Sequence, residues 1–387
     1  MKILKITLIT LAVLALAGWF LLFRSVPLKV SPETTILTEP RTEDGKWVDY
    51  RAYLIAQFPK DGNTEKNSAR GMLELFGLEV EYAPTFKPEY WEMLGLEPPD
   101  ENQKAPFSIS FDFMRNEKFV DCEKVEDYFA ADPEAVREYV SAATPALDAM
   151  AEVIQKAEFF AFPVVPNSLD DLVVSARTVD VVGLLEVLNA FRFRAWLREK
   201  DGDQEGADAD RLILLKLGRQ IQNKATTLVM LLLGEEVEKV GAGLKDPEKW
   251  KTLEPIDREA NLRRALELER LFAASAIQNF CRLGRNGNSM SKWVYYDGID
   301  ELFVWPVMYL GFDWNIVAKR LNETTQKIYF PEENAVPFEV PRHSWWEIPK
   351  LFSRRARSEI WADVLGSSVS IDQSRQFLLE EVSPPAP

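Results

Sequence analysis

The chain of 387 residues carries 61 acidic and 46 basic side chains, which gives a formal net charge of -15. Such an excess of negative charge repels phosphate backbones and argues against a nucleic-acid-binding function. The single histidine, His343, excludes multi-histidine zinc sites and paired-imidazole relays. The sequence also lacks a Walker A motif and a dinucleotide-binding glycine motif, and no cofactor is predicted.

The N-terminus contains an apolar run over 6–23, bounded by Lys5 and Arg24 and free of charged side chains. At 1.5 Å per residue, about 18 residues give roughly 27 Å of helix, enough to cross the hydrocarbon core of a bilayer. We therefore predict a cytoplasmic tail over 1–5, a single transmembrane signal anchor and export of the remaining chain. The alternative is a signal peptide that is cleaved near Ala17 and releases a secreted protein.

The next hundred residues are rich in proline. Residues 24–47 are predicted to form an extended tether between the membrane and the folded part of the chain. Residues 48–131 are predicted to form a small mixed subdomain, because frequent prolines interrupt regular structure there. Within it, the alternation of polar and apolar side chains over 108–113 predicts a strand.

From Asp132 onward the sequence has helical periodicity. Asp132 followed by Pro133 is a typical helix start, and a further helix is predicted over 146–159. Apolar stripes with spacings of three and four residues follow over 173–198, 209–221, 229–240 and from Pro255 onward. Because short polar turns separate the stripes, we predict a mainly α fold of antiparallel helical hairpins in one array or bundle over 132–382. Residues 383–387 are predicted to be a disordered tail.

One loop between two predicted helices resembles a calcium-binding loop. Asp201, Asp203 and Glu205 place oxygen ligands at its first, third and fifth positions, and Gly206 occupies the sixth. Leu212 stands at the twelfth position, where such a loop needs a bidentate glutamate. The three acids are candidate ligands for a weakly bound divalent cation. The alternative is a solvated turn whose acids stabilise the N-terminus of the next helix.

Aromatic side chains are concentrated toward the C-terminus. Trp293, Trp305, Trp345 and Trp346 are candidate partner-binding residues, because tryptophan is frequent among the hot spots of protein interfaces. The alternative is that these side chains belong to the hydrophobic core.

The sequence contains two cysteines, Cys122 and Cys281. For an exported domain, one interpretation is a single disulfide between them. The other is two separate buried thiols.

Several loose elements are spread over most of the chain. They are Asp44-Gly45 with Val48-Asp49-Tyr50, residues 139–148 with 159–163, Arg194-Ala195-Trp196-Leu197, Gly202-Asp203, Asp210-Arg211-Leu212, 217–219, 227–228, and Asp313-Trp314-Asn315 with Asn322. Together they resemble a group of uncharacterised, single-pass, mostly helical envelope proteins known mainly from planctomycete bacteria. The resemblance implies a Gram-negative-type envelope location. It implies no activity and no catalytic residues.

The sequence therefore predicts a membrane-anchored helical binding or scaffolding protein of the cell envelope, with one membrane span and an envelope protein as partner. Stacked helices provide extended surfaces for other proteins, which is the physical basis of this prediction. The alternative is a carboxylate-based hydrolase that acts on an envelope polymer. The sequence alone leaves open whether the protein is an enzyme.

Overall fold

A computed structural model describes residues 26–76, 88–98, 106–107, 113, 117–119, 122, 124–163, 181–282, 313–330 and 355. Helices dominate this part of the chain, where the β-structure is limited to three isolated bridges. The predicted mainly α class is confirmed. No helix in these ranges is both long enough and apolar enough to cross a membrane, and the predicted anchor over 6–23 lies outside them.

The described residues form twelve α-helices and one 3-10 helix over Glu117–Phe119. In chain order the α-helices are α1 (Pro32–Thr35), α2 (Tyr50–Gln57), α3 (Ser68–Phe76), α4 (Pro88–Leu94), α5 (Val125–Ala131), α6 (Pro133–Lys156), α7 (Val181–Lys200), α8 (Gln204–Asn223), α9 (Leu228–Gly241), α10 (Pro247–Trp250), α11 (Arg258–Arg282) and α12 (Trp314–Tyr329).

The chain divides into two compact units. Unit 1 comprises Met1–Tyr53, Ser168–Ser175 and Glu269–Pro387, and unit 2 comprises Leu54–Asn167 and Ala176–Leu268. This division differs from the predicted boundaries at 48 and 132. The reason is that unit 1 combines N-terminal with C-terminal residues, a pairing that no local sequence pattern reveals.

The core of unit 2 is built from the apolar faces of α3, α4, α6, α7, α8 and α9. Its fully buried side chains include Leu94, Leu147, Met150, Ile154, Phe160, Phe191 and Leu214. At roughly 25 cal/mol per Å² of apolar surface removed from water, this burial is the main force that holds these helices together.

Helix α6 begins where predicted and runs further than predicted. The Asp132 side chain accepts a hydrogen bond of 3.0 Å from the Ala135 amide and caps the helix. The helix then continues through Pro145, so the second helix predicted to begin near Ala146 is part of α6. Pro145 is exposed, while Ala146 and Leu147 are buried in the core. This burial offsets the backbone hydrogen bond that proline cannot donate.

Helices α8 and α9 approach each other closely at glycines. A Cβ on Gly218 would lie 2.7 Å from the Gly234 carbonyl oxygen, and one on Gly234 would lie 2.7 Å from Gln222 Cγ. A Cβ on Gly241 would lie 2.8 Å from Leu215 Cγ. These distances are shorter than ordinary van der Waals contacts. The two backbones are therefore packed so closely that only hydrogen fits between them.

Residues 26–47, predicted to be an extended tether, pack within unit 1. Val26 forms an isolated bridge with Asp313, just before α12. The Lys29 amide donates a hydrogen bond of 2.7 Å to Asn315 Oδ1 in the first turn of α12. Leu28, Thr34 and Thr35 are buried. This part of the chain differs from the predicted tether, because its backbone groups and apolar side chains have partners in the C-terminal region.

Further contacts join Glu33 to α12 and Val48 to α11. Asn322 Nδ2 donates to the Glu33 carbonyl oxygen at 2.9 Å, and Lys319 Nζ lies 2.9 Å from a Glu33 carboxylate oxygen. Both backbone groups of Val48 bond the Gln278 side chain, at 3.0 Å through the amide and 2.7 Å through the carbonyl. The side-chain amides of Gln278 and Asn322 thus bond backbone groups that the strands of a sheet would bond to each other.

Candidate functional site

A buried ion pair joins α7 to α8 in unit 2. Arg194 Nε lies 3.0 Å from Asp210 Oδ2, and Arg194 Nη2 lies 2.6 Å from Oδ1. Both side chains are only 4% exposed. Burial raises the pKa of Asp210, and the hydrogen bonds from Arg194 act in the opposite direction. The forked geometry matches the planar guanidinium to the carboxylate, which compensates part of the cost of removing two charges from water.

Two further side chains extend this pair toward solvent. Arg198 Nη1 donates to Asp210 Oδ2 at 2.9 Å, and Arg194 Nη1 donates to Asp148 Oδ1 at 2.6 Å. Asp148 belongs to α6 and its side chain is 62% exposed. The network therefore connects three helices. Because both oxygens of Asp210 accept hydrogen bonds from guanidinium groups, this carboxylate is occupied by internal contacts.

A second charged cluster lies at the ends of α7 and α8. The Glu199 carboxylate pairs with Arg211 and with Lys245. Hydrogen bonds from Lys245 and then from Arg211 lower the pKa of Glu199 to about 2. Nearby Asp208 is buried and accepts a hydrogen bond of 2.9 Å from Gln204 Nε2. Glu199 is therefore ionised at neutral pH and is unsuited to donate a proton.

A neutral polar cluster is buried where α3 meets α8. Asn67 Nδ2 donates to the Ala161 carbonyl oxygen at 2.8 Å, and the Asn67 side-chain oxygen accepts from the Ala161 amide at 2.9 Å. Ser68 Oγ donates to Gln220 Oε1 at 2.9 Å, and Gln220 Nε2 donates to the Ala157 carbonyl oxygen at 2.8 Å. These bonds hold the segment after α6 in place, as hydrogen bonds between neighbouring strands do in a sheet. Their role is structural.

The candidate calcium ligands occupy a turn between α7 and α8. Asp201 is held by Arg137, with Nη1 to Oδ2 at 2.8 Å and Nη2 to Oδ1 at 2.9 Å. The hydrogen bond from Arg137 lowers the pKa of Asp201. Asp203 accepts a hydrogen bond of 2.9 Å from the Gly206 amide and caps α8. Glu205 is exposed in the first turn of α8.

The geometry of this turn corresponds to the alternative interpretation, acids that stabilise a helix start. Gly202 has φ +87°, a left-handed conformation that glycine adopts without strain and that reverses the chain direction after α7. Across the described ranges, no group of three or more His, Cys, Asp or Glu side chains is arranged to hold a metal ion.

The aromatic residues predicted to bind a partner, Trp293, Trp305, Trp345 and Trp346, lie outside the described residues. The structure contains another aromatic cluster, which the sequence reasoning missed. The ring of Phe113 stacks on that of Tyr139 with centroids 4.4 Å apart, and Phe193 meets Phe113 and Tyr128 edge-on. This cluster joins α5, α6 and α7. Of the predicted strand over 108–113, only Phe113 is described, and it lies in a turn.

Cys122 and Cys281 are both half-buried, and the disulfide considered between them stays a prediction. Cys281 Sγ accepts a hydrogen bond from the Leu28 amide at 3.3 Å. Burial raises the pKa of the Cys281 thiol, which makes it a poor nucleophile.

The sequence contains a pattern that predicts the buried ion pair. Asp210 lies three and seven positions before Ile213 and Leu217, on the buried stripe of α8, and Arg194 lies three positions after Phe191 on that of α7. Two opposite charges on the facing apolar stripes of consecutive helices indicate a buried pair.

Comparisons of the chain with protein-family models, curated proteins and solved structures found no match. A functional assignment therefore depends on the geometry and the sequence.

Proposed function

We propose that the protein is a membrane-anchored helical binding or scaffolding protein of the cell envelope. In this proposal the apolar run over 6–23 spans the bilayer once and the remaining chain is exported. The resemblance of the sequence to single-pass helical envelope proteins agrees with this location.

We further propose that α7, α8 and α9 form antiparallel hairpins in one array. The order of their contacts supports this arrangement, because Gly241 lies against Leu215 and Gly234 lies against Gly218. Positions further along α8 thus meet earlier positions in α9. Between α7 and α8, Arg194 bonds Asp210 and the later Arg198 bonds the earlier Gly206 carbonyl oxygen, which is the same reversed order.

The observation that carries the proposal is that charged side chains in unit 2 pair with one another within the unit. Arg194 and Asp210 form a buried pair that crosses helices, and Glu199 pairs with Arg211 and Lys245. Such contacts fix helices in a single arrangement, which is what a rigid binding surface requires. This support is architectural, since a scaffold acts through its shape.

The second candidate function is a carboxylate-based hydrolase that acts on an envelope polymer. One observation favours it, because burial raises the pKa of Asp210 as a general acid requires. However, a glycoside hydrolase needs a second carboxylate across a cleft and a proton directed at the substrate. Asp210 instead directs both oxygens at Arg194 and Arg198. The scaffold therefore fits the described geometry better.

Affinity purification of the tagged full-length protein from detergent-solubilised envelope tests the proposal. The matched control carries residues 1–25 fused to an unrelated folded domain, so that proteins recovered through the anchor alone are subtracted. We expect at least one envelope protein to be enriched reproducibly over this control. Failure to enrich any protein in independent preparations would overturn the scaffold proposal.

A hydrolysis assay with purified cell-wall polymer separates the two candidates. The wild type and Asp210→Asn are compared for release of soluble fragments, with circular dichroism as a check on folding. We expect no release by either protein. Release by the wild type that is lost in a folded Asp210→Asn variant would favour the hydrolase.

A further inference from the structure

The first described residues after the apolar run are already fixed within unit 1. Val26 pairs with Asp313, and its carbonyl oxygen accepts a hydrogen bond of 3.2 Å from the Trp314 amide. Asn315 Nδ2 donates to the Pro27 carbonyl oxygen at 3.0 Å. The chain is thus bound to the start of α12 from Val26 onward.

The distance between this contact and the membrane is limited by chain length. The apolar run ends at Phe23, only three residue steps before Val26. An extended chain covers at most 3.3–3.6 Å per residue, so these steps span about 10 Å. The headgroup layer on each side of a bilayer is roughly 5–8 Å thick. Val26 must therefore lie within or directly above that layer if the run spans the bilayer.

We propose that residues 26–29 and the N-terminal end of α12 contact the phospholipid headgroups of the membrane that holds the anchor. This inference rests on the proposed anchor. Pro27 and Lys29 are exposed on this segment, and a lysine ammonium is attracted to headgroup phosphates. The nearby Glu33 carboxylate is paired with Lys319, which reduces repulsion from an anionic surface.

The consequence is an ectodomain whose unit 1 is held at the bilayer surface. A flexible tether over 24–47 would allow unit 1 to move tens of ångströms away from the membrane. The bonds between Lys29 and Asn315 and between Glu33 and Asn322 prevent this movement, because unit 1 can move away from the membrane only if these bonds break. Any partner of unit 1 must then bind on surfaces other than this one.

Fluorescence quenching in vesicles tests the contact. The full chain, with Cys122→Ser and Cys281→Ser, is labelled with bimane at Pro27→Cys, which keeps Lys29, and is reconstituted into phosphatidylcholine and phosphatidylglycerol vesicles that contain headgroup-nitroxide lipid. The matched control carries a spacer of about 12 glycine and serine residues between Ser25 and Val26, which adds roughly 19 Å of root-mean-square reach. We expect quenching that is at least about twofold stronger without the spacer than with it.

Two results would overturn the inference, and they differ in what they imply for the anchor. Weak quenching of the unspaced protein, equal to that of the spaced protein, while both remain in vesicles after a carbonate wash, would reject the headgroup contact and leave the anchor intact. Release of the unspaced protein by carbonate without detergent would reject the anchor, and the contact with it. Circular dichroism checks that both proteins fold, and a label at Lys29→Cys replaces Pro27→Cys if that variant does not fold.

Discussion

Two arginine–aspartate pairs in unit 2 share a forked geometry and differ in burial. In the first, Arg194 and Asp210 meet at 2.6 and 3.0 Å, and each side chain is 4% exposed. In the second, Arg137 and Asp201 meet at 2.8 and 2.9 Å with exposures of 49% and 52%. The contact distances alone would rank the pairs as equal. Their burial indicates that only the first has a large effect on stability.

The physical reason is the solvent that remains available to each charge. When an exposed partner is removed, water solvates the other charge and little is lost. When a buried partner is removed, the remaining charge stays in a medium that solvates it poorly.

The largest loss is expected for Arg194→Met. This substitution leaves Asp210 buried with one hydrogen bond from Arg198, so we expect the free energy of unfolding to fall by about 3–5 kcal/mol. Urea unfolding followed by circular dichroism measures the change. Val229→Ser is the matched control, because Val229 is 52% exposed and its replacement should change stability by less than about 0.5 kcal/mol. A loss no larger than that of the control would contradict the prediction.

The double variant Arg194→Met with Asp210→Leu is expected to recover most of that loss. Both buried charges are then absent, and apolar side chains of similar volume fill the space. The same unfolding measurement on the single and double variants gives the coupling free energy. If the double variant were less stable than Arg194→Met, burial of an unpaired charge would not be the cause of the first effect.

An intermediate effect is expected for Glu199, whose side chain is 29% exposed. Its folded-state pKa of about 2 lies below the ordinary value of 4.5, so folding favours the ionised form. The resulting stabilisation is complete above the ordinary value and is lost as the pH falls through the folded pKa. We expect Glu199→Gln to lose less stability than the wild type between about pH 5 and 2.

Thermal unfolding across this pH range tests that expectation. Glu205→Gln, an exposed change in the first turn of α8, controls for the loss of one negative charge. Parallel pH profiles for the wild type and Glu199→Gln would show that Lys245 and Arg211 do not stabilise the carboxylate.

The smallest effect is expected for Arg137→Met at the exposed pair. Water replaces the guanidinium around Asp201, so the unfolding midpoint should stay within experimental error of the wild type. The measurement is repeated at low and high salt, because screening should remove any residual difference. A loss similar to that of Arg194→Met would show that burial does not distinguish the two pairs.

Local sequence patterns were sufficient to predict the helical class and several helix starts. Asp132 caps α6 at the predicted position, because a capping side chain bonds a backbone amide only three residues away. The exact buried face was harder to predict. Val229 lies on a predicted apolar stripe and is 52% exposed, while Asp210 is buried beside an exposed Ala209. The neighbouring helices decide which face of a helix is buried, and hydrophobic periodicity does not identify those neighbours.

Contacts between distant parts of the chain could not be predicted. The proline content of 24–47 predicts an extended tether, but the side chains that bond Lys29 and Glu33 in this segment, Asn315 and Asn322, lie 286 and 289 positions later. The site residues show the same limit. The order of acids in the turn at Asp201 resembled a metal loop, but Arg137, 64 positions earlier, binds the first of them.

The division of unit 1 between the two ends of the chain has a consequence for biosynthesis. The Lys29 amide bonds a side chain 286 positions later, and Val48 bonds one 230 positions later. Unit 2 ends at Leu268, so its residues leave the ribosome before α12 is translated, and it can fold first. Lys29 and Glu33 remain without their bonds to Asn315 and Asn322 until α12 has been translated. A chain truncated before α12 would lack these bonds at both residues and would be a substrate for proteolytic quality control.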